Sequence, residues 1–221
     1  MSGPLCVDGQ VDSAEVSHPL FARFFAQLSR LMERELAERR RDLLARLSGR
    51  VLEVGAGNGM NFRHYPDAVD EVVALEPEPY LRAKAELAAR IAPVRVTVRP
   101  GTAYPVAFDD GSFDAAVTSL VLCTVPDPHA ALAELRRALK AGGELRFMEH
   151  VRSEQATLAR LQRWADRSGM WPRVAGVCHC DRNTVEAIEA HGFRIEEAQS
   201  FGLGPRWGLT HPHVLGRART A

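Results

Sequence analysis

A short apolar strand that runs directly into a glycine-rich turn is the feature that most constrains this chain. Residues 50–62 read RVLEVGAGNGMNF, with glycines at positions 55, 57 and 59. An apolar run of this length followed by a tight turn is typical of a parallel strand that is covered on both faces. We therefore expect an α/β domain with a ligand on this turn and a helix that opens near Asn58.

Strand-like and helix-like segments alternate along the rest of the chain. Further strands are predicted at 71–77, 94–99, 113–122, 144–151, 193–201 and 213–219, and most are separated by amphipathic helices. This order predicts a doubly wound, mostly parallel sheet. Residues 94–99 alternate strictly between apolar and polar, which favours a sheet edge. The last strand follows a loop without a convincing helix, so we expect it to be antiparallel.

A chain of 221 residues has room for one substantial domain. We expect a flexible N-terminus over residues 1–17 and a single domain over residues 18–221. Within that domain, residues 18–48 are predicted to form one or two N-terminal helices. Residues 152–182 interrupt the alternation and are predicted to form an insertion that acts as a lid over the substrate.

The spacing of the glycines excludes two common nucleotide sites. A dinucleotide turn has the pattern G-x-G-x-x-G, and Met60 stands where the third glycine would be. A P-loop is excluded because no Gly-Lys-Ser/Thr follows the turn. Instead, Glu53 precedes the turn and Glu76 ends the next strand. Two carboxylates there suit an ammonium group and a ribose better than a pyrophosphate, and S-adenosylmethionine carries the first two without the third.

Several stretches of the sequence resemble class I S-adenosylmethionine-dependent methyltransferases. The stretches are VLEVGAGNG, ALEP, DGSFDAAV and LKAGGEL, and the likeness extends from Val51 to Ala218. Others, SLVLCTVPDP, ELRFMEHV, CHCDRNTVEAIEAHGF and HPHVLGRA, resemble the thiol S-methyltransferase subgroup and its bacterial relatives. The resemblance implies a Rossmann-like, seven-stranded sheet in the order 3-2-1-4-5-7-6 with strand 7 antiparallel, and S-adenosylmethionine as the cofactor.

The resemblance also implies a set of cofactor-binding residues. The glycine turn and Glu53 would surround the amino-acid end, Glu76 would hold the ribose, and Ser119 with Leu120 would line the methionine side. Thr102 stands where many relatives have an Asp that contacts the adenine amine, and Thr102 with the Ala103 backbone would make that contact here. The full set is Glu53, Gly55, Ala56, Gly57, Gly59, Asn61, Glu76, Pro77, Gly101, Thr102, Ala103, Ser119 and Leu120.

Histidines near the predicted strand ends are the candidate general bases. His150 ends the fifth strand and His179 lies in the predicted lid, and we take these two as the catalytic candidates. His211 and His213 near the last strand are further candidates. For each histidine, a structural role such as a hydrogen bond to a loop carbonyl is the alternative.

Other chemistry-bearing residues have simpler interpretations. Cys123 is predicted to be a small packing residue, since methyl transfer needs no covalent enzyme intermediate. Cys178 and Cys180 lack a second ligand pair, so no metal site is predicted. Phe62, Trp164 and Trp171 have two interpretations, an apolar lid over the acceptor and part of the core, and such residues more often belong to a core.

The composition of the chain argues against nucleic acid and membranes as partners. The formal net charge is zero, and the basic run at 38–46 is interpreted as the solvated face of an amphipathic helix. We therefore expect no nucleic-acid partner. The N-terminus has no signal-peptide pattern, and no window approaches a membrane span of about 20 apolar residues. We expect a cytoplasmic monomer or homodimer without membrane contact.

These observations predict an enzyme that transfers a methyl group from S-adenosylmethionine to a small-molecule acceptor, with a thiol as the first choice. An oxygen, nitrogen or carbon acceptor is the alternative. A non-catalytic S-adenosylmethionine-binding protein is another, because a fold does not determine an activity. A nicotinamide oxidoreductase is disfavoured by Met60.

Overall fold

The computed structural model describes residues 19–153, 155–168, 178–203 and 211–220. Its strands form one sheet in the order β3-β2-β1-β4-β5-β7-β6. The strands are β1 (Gly49–Val54), β2 (Val69–Leu75), β3 (Val96–Arg99), β4 (Phe113–Ser119), β5 (Leu139–His150), β6 (Phe193–Leu203) and β7 (His211–Thr220). Residues 1–17, expected to be flexible, lie outside the described ranges.

Helices cover the sheet. They are α1 (Pro19–Leu44), α2 (Pro79–Ala89), α3 (Pro128–Ala138), α4 (Ala156–Arg167) and α5 (Thr184–Ala190), with a 3₁₀ turn at Phe62–His64. Among the residues that the structure describes, no helix has the length and apolar character needed to cross a membrane.

The sheet confirms the predicted fold class and strand order. Strands β1 to β5 pair in parallel, whereas β7 pairs antiparallel with both β5 and β6. Strand β3 is an edge strand, as its alternating pattern indicated. In parallel α/β sheets of this kind, ligands lie beyond the carboxyl ends of the strands. The glycine turn that follows β1 is at that edge.

The helix predicted near Asn58 is absent. The chain makes turns after the glycines and then only the short 3₁₀ segment at Phe62–His64 before β2 begins. Gly59 has a φ of +76°, which a continuing right-handed helix cannot accommodate. In the described range the N-terminal region is one helix, α1, which lies within the expectation of one or two helices.

The apolar core lies on both faces of the sheet. Along β1, Val51 packs with one cluster and Leu52 with the other, because successive strand side chains point to opposite faces. One cluster includes residues of α3 such as Leu132 and Leu135, and the other includes Leu36 and Leu44 of α1. Each large apolar side chain that is fully buried contributes about 1.5–3 kcal/mol.

Helix α1 is anchored where it ends. Arg146 on β5 is buried, and its guanidinium donates hydrogen bonds of 3.3 Å to the Leu43 carbonyl and 2.9 Å to the Ala45 carbonyl. These carbonyls stand at the helix C-terminus, where intrahelical donors run out and a cation is favourable. The anchor fixes α1 across β5 and lets its preceding turns reach the glycine turn.

Candidate active site

The glycine turn has a backbone that side chains would disrupt. Gly55 has a φ of +65°, and a Cβ there would lie 2.6 Å from a methyl of Val121. Gly59 has a φ of +76°, and a Cβ there would lie 2.8 Å from both the Ala88 Cβ and the Phe62 ring. Glycine is therefore required at both positions for conformation and for close packing. Gly57 between them, with a φ of +58°, has only the Phe25 ring of α1 nearby, at 3.5 Å from a built Cβ.

Glu53 lies buried directly before the turn. Its Oε1 accepts a hydrogen bond of 2.8 Å from the Asn61 amide, and its Oε2 accepts one of 2.7 Å from the Tyr65 hydroxyl. Burial raises the pKa of Glu53 to about 7, although both hydrogen bonds and the charge of Arg40 act in the opposite direction. The predicted residue is thus at the turn, and Asn61, also predicted, is its direct partner.

Arg40 of α1 was missed by the sequence analysis. It belongs to the basic run interpreted as a solvated face, yet it is only 6% exposed. Its Nη1 donates a 2.7 Å hydrogen bond to the Asn61 Oδ1 and lies 3.5 Å from the Ser119 Oγ, while its Nε lies 3.3 Å from a Glu33 carboxylate oxygen. Helical periodicity could have placed one arginine of the run on the inner face.

Glu76 links the end of β2 to the glycine turn. Its Oε2 accepts a 2.7 Å hydrogen bond from the Gly57 N–H, and its Oε1 accepts one of 2.9 Å from the Glu78 N–H. Burial raises the pKa of this carboxyl, and the two N–H donors oppose the shift. Arg82 bonds the backbone carbonyls of Glu76 and Pro77. A carboxylate has about four acceptor positions, so about two remain for a ligand.

The hydrogen-bond acceptors at these two strand ends fit the polar groups of S-adenosylmethionine. Glu53 and Glu76 offer acceptors to an ammonium group and to ribose hydroxyls. The open backbone at Gly57 can be approached closely by a ligand. Phosphate groups, by contrast, would face two buried acids.

The remaining predicted cofactor residues surround this edge of the sheet. The Ala56 N–H bonds the Leu75 carbonyl at 3.0 Å, which fixes the turn against β2. A Cβ at Gly101 would lie 3.1 Å from Leu75. The Thr102 hydroxyl donates a 2.7 Å hydrogen bond to the Tyr104 carbonyl, and Ala103 is buried in the core. The Thr102 side chain is therefore engaged within its own loop.

Ser119 and Leu120 end β4 beside the turn. Leu120 has a φ of +62°, a conformation that non-glycine residues seldom adopt outside functional loops. Its N–H bonds the Met148 carbonyl of β5 at 2.7 Å. The chain thereby turns sharply at the point where the resemblance places the methionine side of the cofactor.

Glu149 on β5 was also missed, and it holds the loop that follows β4. It is fully buried, and its carboxylate accepts 3.2 Å hydrogen bonds from the N–H groups of Val121 and Cys123. Burial raises the pKa of Glu149 to about 7, against the effect of these backbone donors. The signal in the sequence was an acid directly before His150, after the apolar pair Phe147 and Met148.

His150, the first catalytic candidate, is buried at the end of β5. Its Nδ1 lies 3.2 Å from the Cys178 Sγ. Its ring stacks on that of His213, with centroids 4.9 Å apart, and His213 in turn stacks on Phe201 at 5.5 Å. The side chain of His211 lies outside the described part. The structure thus brings together two of the four candidate histidines.

His179, the second candidate, lies on a segment that packs against the loop after β4. Its N–H bonds the Cys123 carbonyl at 2.7 Å, and the Arg182 guanidinium bonds the Leu122 carbonyl at 2.5 Å. The His179 side chain is 38% exposed, and its Nδ1 lies 3.7 Å from an Asp166 oxygen of α4. The segment 178–182 therefore reaches the same region as His150, while the His179 ring points to α4.

The three aromatic residues considered for an apolar lid lie in different environments. Phe62 is fully buried in the core, so it does not cover a site. Trp164 is 60% exposed on α4, and Trp171 lies outside the described residues. Among the described side chains, no group of three or more His, Cys, Asp or Glu could hold a metal ion.

Comparison with known proteins identifies the family. Residues 52–147 match the family model for a methyltransferase domain. The chain is 32% identical over 210 residues to thiol S-methyltransferase TMT1B of Mus musculus, covering 90% of this chain and 85% of the relative. It is 31% identical over 212 residues to thiol S-methyltransferase TMT1A of Homo sapiens, with the same coverage of both chains.

A solved structure supports the fold. An S-adenosylmethionine-dependent methyltransferase from Mesorhizobium loti superposes with a TM-score of 0.62 at 20% identity, covering 83% of this chain and 97% of that one. The predicted resemblance is thereby confirmed, and S-adenosylmethionine is the cofactor. The chain belongs to the S-adenosylmethionine-dependent methyltransferases, in the family that includes the thiol S-methyltransferases TMT1A and TMT1B.

Proposed function

We propose that the enzyme methylates a small-molecule thiol. The observation that carries this proposal is the buried imidazole of His150, which lies at the end of β5 beside the loop that follows the proposed methionine-binding residues. The names of relatives at 31–32% identity support the same acceptor class.

The cofactor would lie along the carboxyl edge of β1, β2 and β4. In this assignment the glycine turn and Asn61 position the amino-acid end, and the remaining acceptor positions of Glu76 bind the ribose. Glu53 supports the turn through Asn61 and adds negative charge near an ammonium group. Bound S-adenosylmethionine supplies a methyl group on a sulfonium, which is already activated for displacement.

The protein then has to align the acceptor with the methyl group and to accept one proton from the acceptor. A thiol has an ordinary pKa of about 8.5, so a positioned base that accepts its proton has to give only modest help. A phenol near ~10 needs more help. We assign the proton to the imidazole of His150, with His179 as the second candidate. Residues 178–182 would exclude water from the acceptor.

We also infer an acceptor that is small and not a nucleic acid, because the formal net charge is zero. A cytoplasmic location and a monomeric or homodimeric state belong to the same proposal. Size-exclusion chromatography with light scattering tests the oligomeric state.

A methyl-transfer screen tests the acceptor. Purified protein is incubated with S-adenosylmethionine and equal concentrations of thiols, phenols and amines, and S-adenosylhomocysteine formation is measured. We expect turnover on thiols first. His150→Asn should lower kcat at least about tenfold, consistent with the usual contribution of a positioned base.

His191→Asn is the matched control, because the His191 ring lies at the end of α5 and bonds the Ala187 carbonyl. It should leave kcat unchanged. Turnover on phenols or amines without any on thiols would overturn the thiol assignment and favour the oxygen or nitrogen alternative. Equal rates for His150→Asn and the unaltered protein would remove the base role.

A further inference from the structure

Three sulfur or imidazole groups meet beside the loop that follows β4. The Cys178 Sγ lies 3.2 Å from the His150 Nδ1, and the Cys178 and Cys123 thiols are hydrogen-bonded to each other. Next to them, the His179 N–H bonds the Cys123 carbonyl at 2.7 Å. Residues that are 55 positions apart are therefore tied together by both backbone and side chains.

We propose that Cys178 is a redox-modification site, which hydroperoxides oxidise to a reversible disulfide with Cys123. Cys178 is partly exposed and has a partner that can resolve the oxidised form, whereas Cys123 is buried beneath it. This combination of an accessible thiol with an adjacent resolving thiol is what a redox-active pair requires. The proposal does not depend on the identity of the methyl acceptor.

The chemistry balances in two steps. The Cys178 thiolate attacks the terminal OH oxygen of the hydroperoxide, the O–O bond breaks, and hydroxide (from hydrogen peroxide) or alkoxide (from an organic hydroperoxide) leaves with the electron pair, so that Cys178 becomes a sulfenic acid. The Cys123 sulfur then attacks the Cys178 sulfur, an S–S bond forms, and the hydroxyl leaves as water with the Cys123 proton. Two electrons pass from the two sulfurs to the peroxide, and a dithiol reductant returns them.

The surroundings of Cys178 support its role as the attacking thiol. Hydrogen bonds from Cys123 and His150 lower the pKa of Cys178 to about 5, against burial and the Asp166 charge of α4. The half-buried Arg182 adds a positive charge from the same segment. The bond to Cys178 and burial raise the pKa of Cys123 well above its usual value, so Cys178 and not Cys123 is the thiol that reacts first with a peroxide.

Cys180, two residues further on, provides an internal comparison. It is buried, its Sγ lies 3.3 Å from the Asp166 Oδ1, and its N–H bonds the same oxygen at 3.2 Å. Burial and the Asp166 carboxylate raise the pKa of Cys180 to about 12. We therefore expect Cys180 to react slowly, although it lies on the same segment.

The test uses the full chain with Cys6→Ser, so that the remaining cysteines are the three that the structure describes. At pH 6.5, iodoacetamide should label Cys178 at least about tenfold faster than Cys180, as followed by peptide mass spectrometry. After hydrogen peroxide, the disulfide-linked Cys123–Cys178 peptide should appear and should vanish on reduction with dithiothreitol.

Matched variants separate the steps. Cys180→Ser should still form the bridge, Cys178→Ser should not, and Cys123→Ala should leave a sulfenic acid on Cys178 that dimedone traps. A bridge that involves Cys180, or equal labelling of Cys178 and Cys180 in the unsubstituted segment, would overturn the proposal. The labelling comparison needs no change in the cluster, so it remains decisive if Cys123→Ala fails to fold.

Discussion

The Tyr65 hydroxyl donates a 2.7 Å hydrogen bond to the Glu53 carboxylate, and both side chains are buried behind the glycine turn. We predict that Tyr65→Phe destabilises the protein by about 1–3 kcal/mol, because a buried charged acceptor loses a partner. The loss should be larger at pH 8 than at pH 5, since the hydrogen bond lowers the pKa of Glu53 and so favours its ionised form. Urea unfolding at both pH values measures it.

Tyr104→Phe is the control for that substitution. The Tyr104 hydroxyl accepts a 3.1 Å hydrogen bond from the exposed Asp127 N–H, so its removal should cost less than about 1 kcal/mol at either pH. Equal losses for the two variants, or a Tyr65→Phe loss independent of pH, would contradict the prediction.

Glu76 provides a test of cofactor binding. We predict that Glu76→Gln weakens the affinity for S-adenosylmethionine about tenfold to a hundredfold, because a hydrogen bond to a charged group contributes about 1.5–3 kcal/mol. Calorimetric titration measures the dissociation constant. Glu71→Gln, near the opposite end of β2 where Glu71 pairs with Arg50, should bind as the unaltered protein does. An unchanged affinity for Glu76→Gln would remove Glu76 from the proposed ribose site.

Glu149 should make stability depend on pH. Its carboxyl has a pKa of about 7 when folded, against an ordinary value of 4.5. Below pH 4.5 both states hold the proton, and between 4.5 and 7 the folded state holds more protons, so stability falls as pH rises through this window. The decrease from Glu149 is on the order of 3 kcal/mol.

Between pH 4.5 and pH 8, the free energy of unfolding of Glu149→Gln should decrease less than that of the unaltered protein. Part of the decrease should persist, because Glu53 has a similarly raised pKa of about 7. Glu197→Gln, which alters a carboxylate that is 65% exposed, is the control and should follow the unaltered protein. If the free energy of unfolding depends on pH in the same way in Glu149→Gln and Glu197→Gln, burial of Glu149 does not cause the decrease.

Alanine substitutions at two glycines with similar backbone angles separate the conformational cost of a side chain from its steric cost. Gly59 has a φ of +76° with atoms 2.8 Å from a built Cβ, whereas Gly142 has a φ of +71° with nothing within 4 Å. Gly142→Ala should cost about 1–2 kcal/mol for the left-handed conformation alone. Gly59→Ala should cost about 1–3 kcal/mol more, as is usual for overpacking. Thermal or urea unfolding measures the loss of stability in each variant. Equal losses for Gly59→Ala and Gly142→Ala would show that the turn can relax around the added methyl group.

The sheet was predictable because local patterns determine it. The strict alternation at 94–99 indicated the edge strand β3, and the helix-free loop before the last strand indicated the antiparallel β7. The turn after β1 was located by its glycines. Its continuation as a helix was wrong, because a left-handed Gly59 ends the turn in a way that periodicity does not reveal.

The chemistry around the turn was less predictable, because it depends on contacts between distant residues. Arg40 appeared as one arginine in a polar run, and only the packing of α1 against Asn61 shows that it is buried. Cys178 and Cys123 were interpreted separately, since nothing in either local sequence indicates that the two thiols meet. The cofactor-binding residues themselves stay a prediction that the Glu76 titration tests.

The position of β7 between β5 and β6 has a consequence for synthesis on the ribosome. Strand β6 emerges before β7, yet among the strands that the structure describes β6 pairs only with β7. Until residues 211–220 have left the exit tunnel, β6 has no neighbour and the β5 edge is uncovered. His213 arrives with β7, so its stacking on His150 becomes possible only after the rest of the sheet has been synthesised.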